Sequence, residues 1–118
     1  MSDTAVDSTN KPPAAEHPPE VHQLSPESLA QIADFFKVLS EPNRLQIVCT
    51  LKSGPLNVTE IIEQTGLGQA NTSKHLKLLA QAGIVSRQQQ GVAAYYEIAN
   101  LAIFDLCEIV CGTLSIQP

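Results

Sequence analysis

A chain of 118 residues has room for one small domain, and with aromatics at only 4% its core must rest on leucine, isoleucine, valine and alanine. No apolar run is long enough to span a bilayer and no charged-then-apolar leader is present, so the expected location is the cytoplasm. There Cys49, Cys107 and Cys111 are not expected to form a constitutive structural disulfide. A formal charge of −5 argues against a polyanionic partner only if the charge is evenly spread, and it is not. Residues 1–27 hold five acids against one lysine, whereas from Gln64 to Tyr96 there is no acid and Lys74, Lys77 and Arg87 stand alone. A phosphate backbone meets that local field, not the total.

Residues 1–24 contain four of the eight prolines and no apolar periodicity. Such a composition cannot bury enough surface to offset chain entropy, so a disordered, proline-rich acidic tail is expected, followed by a folded domain at 25–118. His17 and His22 belong to the tail and are expected to be solvated. The first helix is predicted to start with Ser25 as N-cap and Pro26 at the first helical position, with Leu29, Ile32, Ala33, Phe36 and Leu39 at helical spacing. Ser40-Glu41-Pro42 restarts the pattern, and Leu45, Val48, Cys49 and Leu51 line a second helix that ends at Ser53-Gly54-Pro55. Asn57, with Glu60 three residues on, reads as a capping box for a short third helix to about Thr65. After Gly66-Leu67-Gly68, a fourth helix is predicted from Gln69 to Ala82 with Leu76 and Leu79 inward, closed by Gly83.

The period then changes to two. Ile84–Arg87 and Ala93–Ile98 read as strands joined by Gln88-Gln89-Gln90-Gly91. Asn100 caps a last helix with Leu101, Phe104, Leu106 and Val110 on its apolar positions. The predicted fold is mainly α with a β-hairpin wing, a winged helix-turn-helix. A small core of this kind gains from oligomerisation, which removes further apolar surface from water.

In that arrangement the fourth helix suits a major groove, where its exposed face must offer hydrogen-bonding side chains to bases and phosphates. The candidates are Gln69, Asn71, Thr72, Ser73, Lys74, His75 and Lys77, with Arg87 and the wing glutamines toward an adjacent groove. The competing reading is a solvated helix face on an unrelated α-rich domain, and the order of elements weighs against it. An enzyme is not expected: a catalytic thiol needs an oriented base beside it, and His75, the only histidine in the folded part, lies on the fourth helix.

Three stretches resemble the ArsR–SmtB repressors: Leu39-Ser40-Glu41-Pro42-Asn43-Arg44-Leu45-Gln46-Ile47, then Thr72 through Val85 with its Ser73-Lys74-His75-Leu76 and Ala82-Gly83-Ile84-Val85 signatures, then Gly91 through Tyr96. The resemblance spans roughly residues 27–115. It implies a homodimer packed through the first and last helices, bound to double-stranded operator DNA as a repressor and released when a small inducer is sensed. The chain departs from the family at Val92-Ala93-Ala94, where wings often carry a basic residue, and at Gly68, where a serine often caps. The family's metal-ligand positions fall on Asn57, Glu60, Asn100, Ala102 and Thr113, so neither a metal nor another resident cofactor is expected.

Cys49, within Arg44–Leu51, resembles the metal-independent branch of that family, which senses sulfide, persulfide or oxidants through a thiol pair. The resemblance implies a partner in the last helix about one turn beyond Cys111, near Ser115. Cys107 and Cys111 are four apart and therefore share a helix face, and Cys111 is the nearer to the implied position. Two alternatives stand beside this one. A cysteine on an apolar helix face can be only a small core residue, and three thiolates also suit As(III) or another soft ion. Sulfane sulfur, an oxidant or arsenite are thus the candidate inducers.

Overall fold

The computed structural model describes residues 18–117, so most of the expected tail, His17 included, lies outside the described residues. The chain divides into two compact units, meeting between Ile32 and Ala33. In the first, Val21–Gln23 make one turn of 3-10 helix, where composition suggests no element. Helix α1 (Pro26–Leu39) begins in this unit as its sequence predicts, and its residues from Ala33 to Leu39 belong to the second. The Ser25 hydroxyl accepts the Ser28 backbone N–H at 3.1 Å, and Pro26 occupies the first turn, where its missing N–H is no loss. Leu29 and Ile32 are exposed.

The second unit holds helices α2 (Pro42–Thr50), α3 (Val58–Thr65), α4 (Gln69–Gln81) and α5 (Ala102–Leu114), and strands β1 (Leu56–Asn57), β2 (Val85–Gln90) and β3 (Ala93–Ile98). A single 3-10 turn at Leu51–Ser53 extends α2. The strands form an antiparallel sheet in the order β1-β3-β2, with Leu56 opposite Tyr96 and Val85 opposite Ile98. The core is aliphatic throughout: Leu39, Ile47, Val48, Leu51, Ile61, Leu76, Leu79, Ile84, Val85, Ile98 and Ile103 are buried. Each contributes on the order of 1.5–3 kcal/mol by leaving water.

Three sequence expectations are corrected. In α2 the buried residues are Ile47 and Val48, while Leu45 and Cys49 are exposed. Glu41 sets the start of that helix, and its phase turns positions 47, 48 and 51 inward. The wing turn is Gly91-Val92, and Gln88, Gln89 and Gln90 are paired strand residues opposite Tyr95, Ala94 and Ala93. From Ser86 to Gln90 β2 is exposed on both faces, so this stretch carries no apolar alternation and its backbone pairing leaves no period-2 signal. Finally, α5 begins at Ala102, with the Asn100 side chain accepting the Ala102 N–H at 2.9 Å. That start makes Ile103 the buried position and leaves Leu101 and Val110 exposed.

Candidate nucleic-acid interface and thiol cluster

The turn that presents α4 is fixed from both sides by local chemistry. Asn57 Oδ1 accepts the Glu60 N–H at 2.8 Å, and Glu60 Oε1 accepts the Asn57 N–H at 2.9 Å. This reciprocal box satisfies two otherwise orphaned donors. Gly66 ends α3 in the left-handed conformation at φ +77°, which a side chain would disfavour. Leu76 and Leu79 then hold α4 against the core with no exposed surface. Truncating either to alanine costs on the order of 2–5 kcal/mol.

Away from the core, Gln69, Asn71, Ser73, Lys74 and Lys77 are all exposed. Two cations, two amides and a hydroxyl on one short helix are the donors and acceptors that phosphates and base edges require. Within the wing, Arg87 is exposed and its Nη2 donates to Gln89 Oε1 at 2.9 Å, while Gln89 Nε2 donates to the Gly91 carbonyl at 3.0 Å. Arg87 is therefore held extended along β2. Sequence reasoning places Gln89 in a turn and so misses its part in holding that arginine.

Two residues expected on the exposed face are not there. Thr72 has no exposed surface, and its hydroxyl has no hydrogen-bond partner. It lies one turn before Leu76, on the inward stripe. His75 is mostly covered, with 12% of its side chain exposed. Its Nδ1 lies 3.3 Å from Arg44 Nη1 and its Nε2 lies 3.9 Å from Glu41 Oε1. These contacts give it a packing role. Glu41 also caps α2, accepting the Arg44 N–H at 2.9 Å, and Arg44 Nε donates to the Val38 carbonyl. The signal for this cluster is the Glu41-Pro42-x-Arg44 stretch, which the sequence marks without revealing its partner.

The three cysteines are free thiols. Cys49 is exposed on the last turn of α2, Cys107 is half-buried, and Cys111 is exposed one turn further along α5. Burial pushes the Cys107 thiol up, and negative charge on Cys49 and then on Cys111 raises it further. Cys107 therefore lies within electrostatic reach of each of the other two thiols of the same chain. Among the described residues, no three His, Cys, Asp or Glu side chains form a group that could hold a metal ion.

Comparison with known proteins agrees with this geometry. The sequence profile described as "Bacterial regulatory protein, arsR family" matches residues 41–87, from the α2 cap to the wing arginine. The HTH-type transcriptional regulator NmtR of Mycobacterium tuberculosis is 31% identical over 85 residues, covering 72% of this chain and 71% of that protein. The chain belongs to the arsR family of bacterial regulatory proteins. The family and the relatives compared are DNA-binding transcriptional repressors, not enzymes.

A biofilm growth-associated repressor of Xylella fastidiosa is 37% identical over 70 residues, 59% of this chain. The match spans about three fifths of that repressor's own length. Among solved structures, the homodimeric winged helix-turn-helix DNA-binding domain of a possible ArsR-family regulator from Mycobacterium bovis superposes with a TM-score of 0.68. It is 30% identical, and the match covers 79% of this chain and 91% of that one. The arsR-type winged helix-turn-helix expected from the sequence is thus the observed fold. No helix among the described residues is long and apolar enough to cross a membrane.

Proposed function

We propose that this arsR-family chain is a cytoplasmic repressor whose residues 25–118 bind duplex operator DNA as a homodimer and release it when Cys49 and Cys111 become linked. The observation that carries the reading is the exposed face of α4, where Gln69, Asn71, Ser73, Lys74 and Lys77 stand together on a helix anchored by Leu76 and Leu79. Lys74, Lys77 and Arg87 contact phosphates, and Gln69 and Asn71 read base edges. Phe36 on α1 and Ile109, Val110 and Leu114 on α5 are large apolar side chains in water. A second copy of the chain is the occupant that would cover them. A two-fold dimer places its two α4 helices in successive major grooves about 34–36 Å apart.

For the inducer, Cys49 and Cys111 are the reactive pair because both are open to solvent, whereas Cys107 is half-buried and burial pushes its thiol up, away from the nucleophilic thiolate. With an inorganic polysulfide as the sulfane-sulfur donor, one thiolate attacks a sulfur atom of the polysulfide. The donor's S–S bond breaks, the polysulfide shortened by one sulfur leaves with the electron pair, and the thiolate becomes a persulfide. The second thiol then attacks that persulfide and displaces hydrosulfide, so two thiols and one sulfur atom give one disulfide and one molecule of hydrogen sulfide. With diamide, the two thiols give up two electrons and two protons, which the azo group takes up as a hydrazine.

The test is fluorescence anisotropy on a duplex that the protein itself selects from a randomised pool. Affinity should fall after diamide or polysulfide in the wild type and be unchanged in Cys49→Ser and Cys111→Ser. Release by arsenite but not by diamide would replace the thiol pair with a soft-ion site. No binding to any duplex would overturn the reading as a whole.

A further inference from the structure

We propose that Glu41, Arg44 and His75 form the link that carries a change at Cys49 to the DNA-contacting helix, an inference that rests on the thiol reading above. Helix α2 has its two ends in different chemistry. Cys49 is exposed on its last turn, while Glu41 caps its first. Between them Ile47 and Val48 have no exposed surface, so the helix, about 13 Å long, moves as a unit when one end is pulled.

The capped end is tied directly to α4. Arginine has donors only, so in the contact between Arg44 Nη1 and His75 Nδ1 at 3.3 Å the imidazole nitrogen accepts. The ring proton is thereby assigned to Nε2, which faces Glu41 Oε1 at 3.9 Å. Arg44 is itself fixed, because its Nε donates to the Val38 carbonyl on α1 and its backbone N–H is held by Glu41. A rigid guanidinium thus bridges α1, α2 and α4. His75 lies between Lys74 and Lys77, so its side chain sets the rotation of the helix that carries the proposed DNA contacts. At 3.3 Å the Arg44–His75 contact is long for a hydrogen bond, and a further shift of about 1 Å breaks it. Joining Cys49 to a thiol on α5 pulls on the opposite end of α2. The link gives way, and α4 loses the orientation that both half-sites require.

The first measurement uses the intact wild-type chain without DNA. Imidazole nitrogen NMR of the reduced protein should show His75 with an accepting Nδ1 and a protonated Nε2. Diamide should shift both resonances toward those of a free, tautomer-exchanging ring. The second measurement uses the selected duplex. Diamide should weaken wild-type binding about tenfold or more and His75→Leu binding less than about twofold, although mass spectrometry finds the same Cys49-containing bond in both. Arg44→Met, which keeps the Glu41 cap, should behave like His75→Leu. His75→Asn, which keeps an acceptor toward Arg44, should regain most of the response.

A His75→Leu chain that forms the bond and still releases DNA as the wild type does would overturn the link and leave the thiol reading standing. A wild type that forms the bond with unchanged His75 resonances would do the same. A wild type that forms no Cys49-containing bond yet releases DNA would overturn both.

Discussion

Replacing Thr72 by valine should stabilise this protein and leave DNA binding untouched. Thr72 sits on α4 among the residues proposed to contact DNA, yet it has no exposed surface and its hydroxyl lacks a partner. A buried, unsatisfied hydroxyl carries a desolvation penalty on the order of 1–3 kcal/mol. Valine fills nearly the same volume, is branched at the same carbon and has similar helix propensity, so little opposes the gain. A net stabilisation of about 1 kcal/mol is expected, which for a folded unit of this size raises Tm by about 4–8 °C. Thermal unfolding by circular dichroism would measure it, at matched chain concentration because dimer dissociation couples to melting. A fall in Tm would mean that the hydroxyl has a partner in the folded protein. Weakened or less selective DNA binding at unchanged stability would mean that Thr72 turns outward to meet the groove.

Other consequences separate the remaining roles. Lys77→Ala should weaken binding to all duplexes similarly and lower the salt slope by about 1 for each phosphate left without its cation, whereas Asn71→Ala should erode discrimination between sequences; anisotropy across a salt series distinguishes them. Asn57→Ala removes the capping box before the recognition turn and should cost about 1 kcal/mol in urea unfolding. Cys107, raised by burial and then by Cys49 and Cys111, should be alkylated by iodoacetamide more slowly than both of those cysteines near pH 8. The sign for stability follows, since an unfolded thiol ionises near pH 8.5 while the folded Cys107 still holds its proton. The contribution is therefore full below that pH and lost as pH rises through the folded value, and pH-dependent unfolding of wild type against Cys107→Ser would show the difference.

Which parts of this architecture are legible in the sequence follows from where local chemistry decides. Ser25-Pro26, Asn57 with Glu60, and Gly66 each fix a helix end through one or two hydrogen bonds or one backbone angle, and each element begins or ends there. Phase is harder. In α2 and α5 most side chains are apolar or small, so several faces of the helix could pass for the buried one. Only packing selects Ile47, Val48 and Ile103 over Leu45, Cys49 and Leu101. The wing glutamines read as a turn because a solvated ribbon pairs through its backbone and leaves no apolar trace. His75 and Thr72 are polar residues on a polar helix, and burial of a polar side chain is invisible until a partner such as Arg44, or the lack of one, is seen in three dimensions.

Two copies of this chain gripping one duplex through Lys74, Lys77 and Arg87 of each copy would be seen in sedimentation of the reduced protein with its selected duplex, repeated across a salt series. Two chains per duplex are expected, with a slope of log affinity against log salt of about −5 from about six phosphate contacts. A single chain bound at full affinity, or an affinity indifferent to salt, would rule that arrangement out.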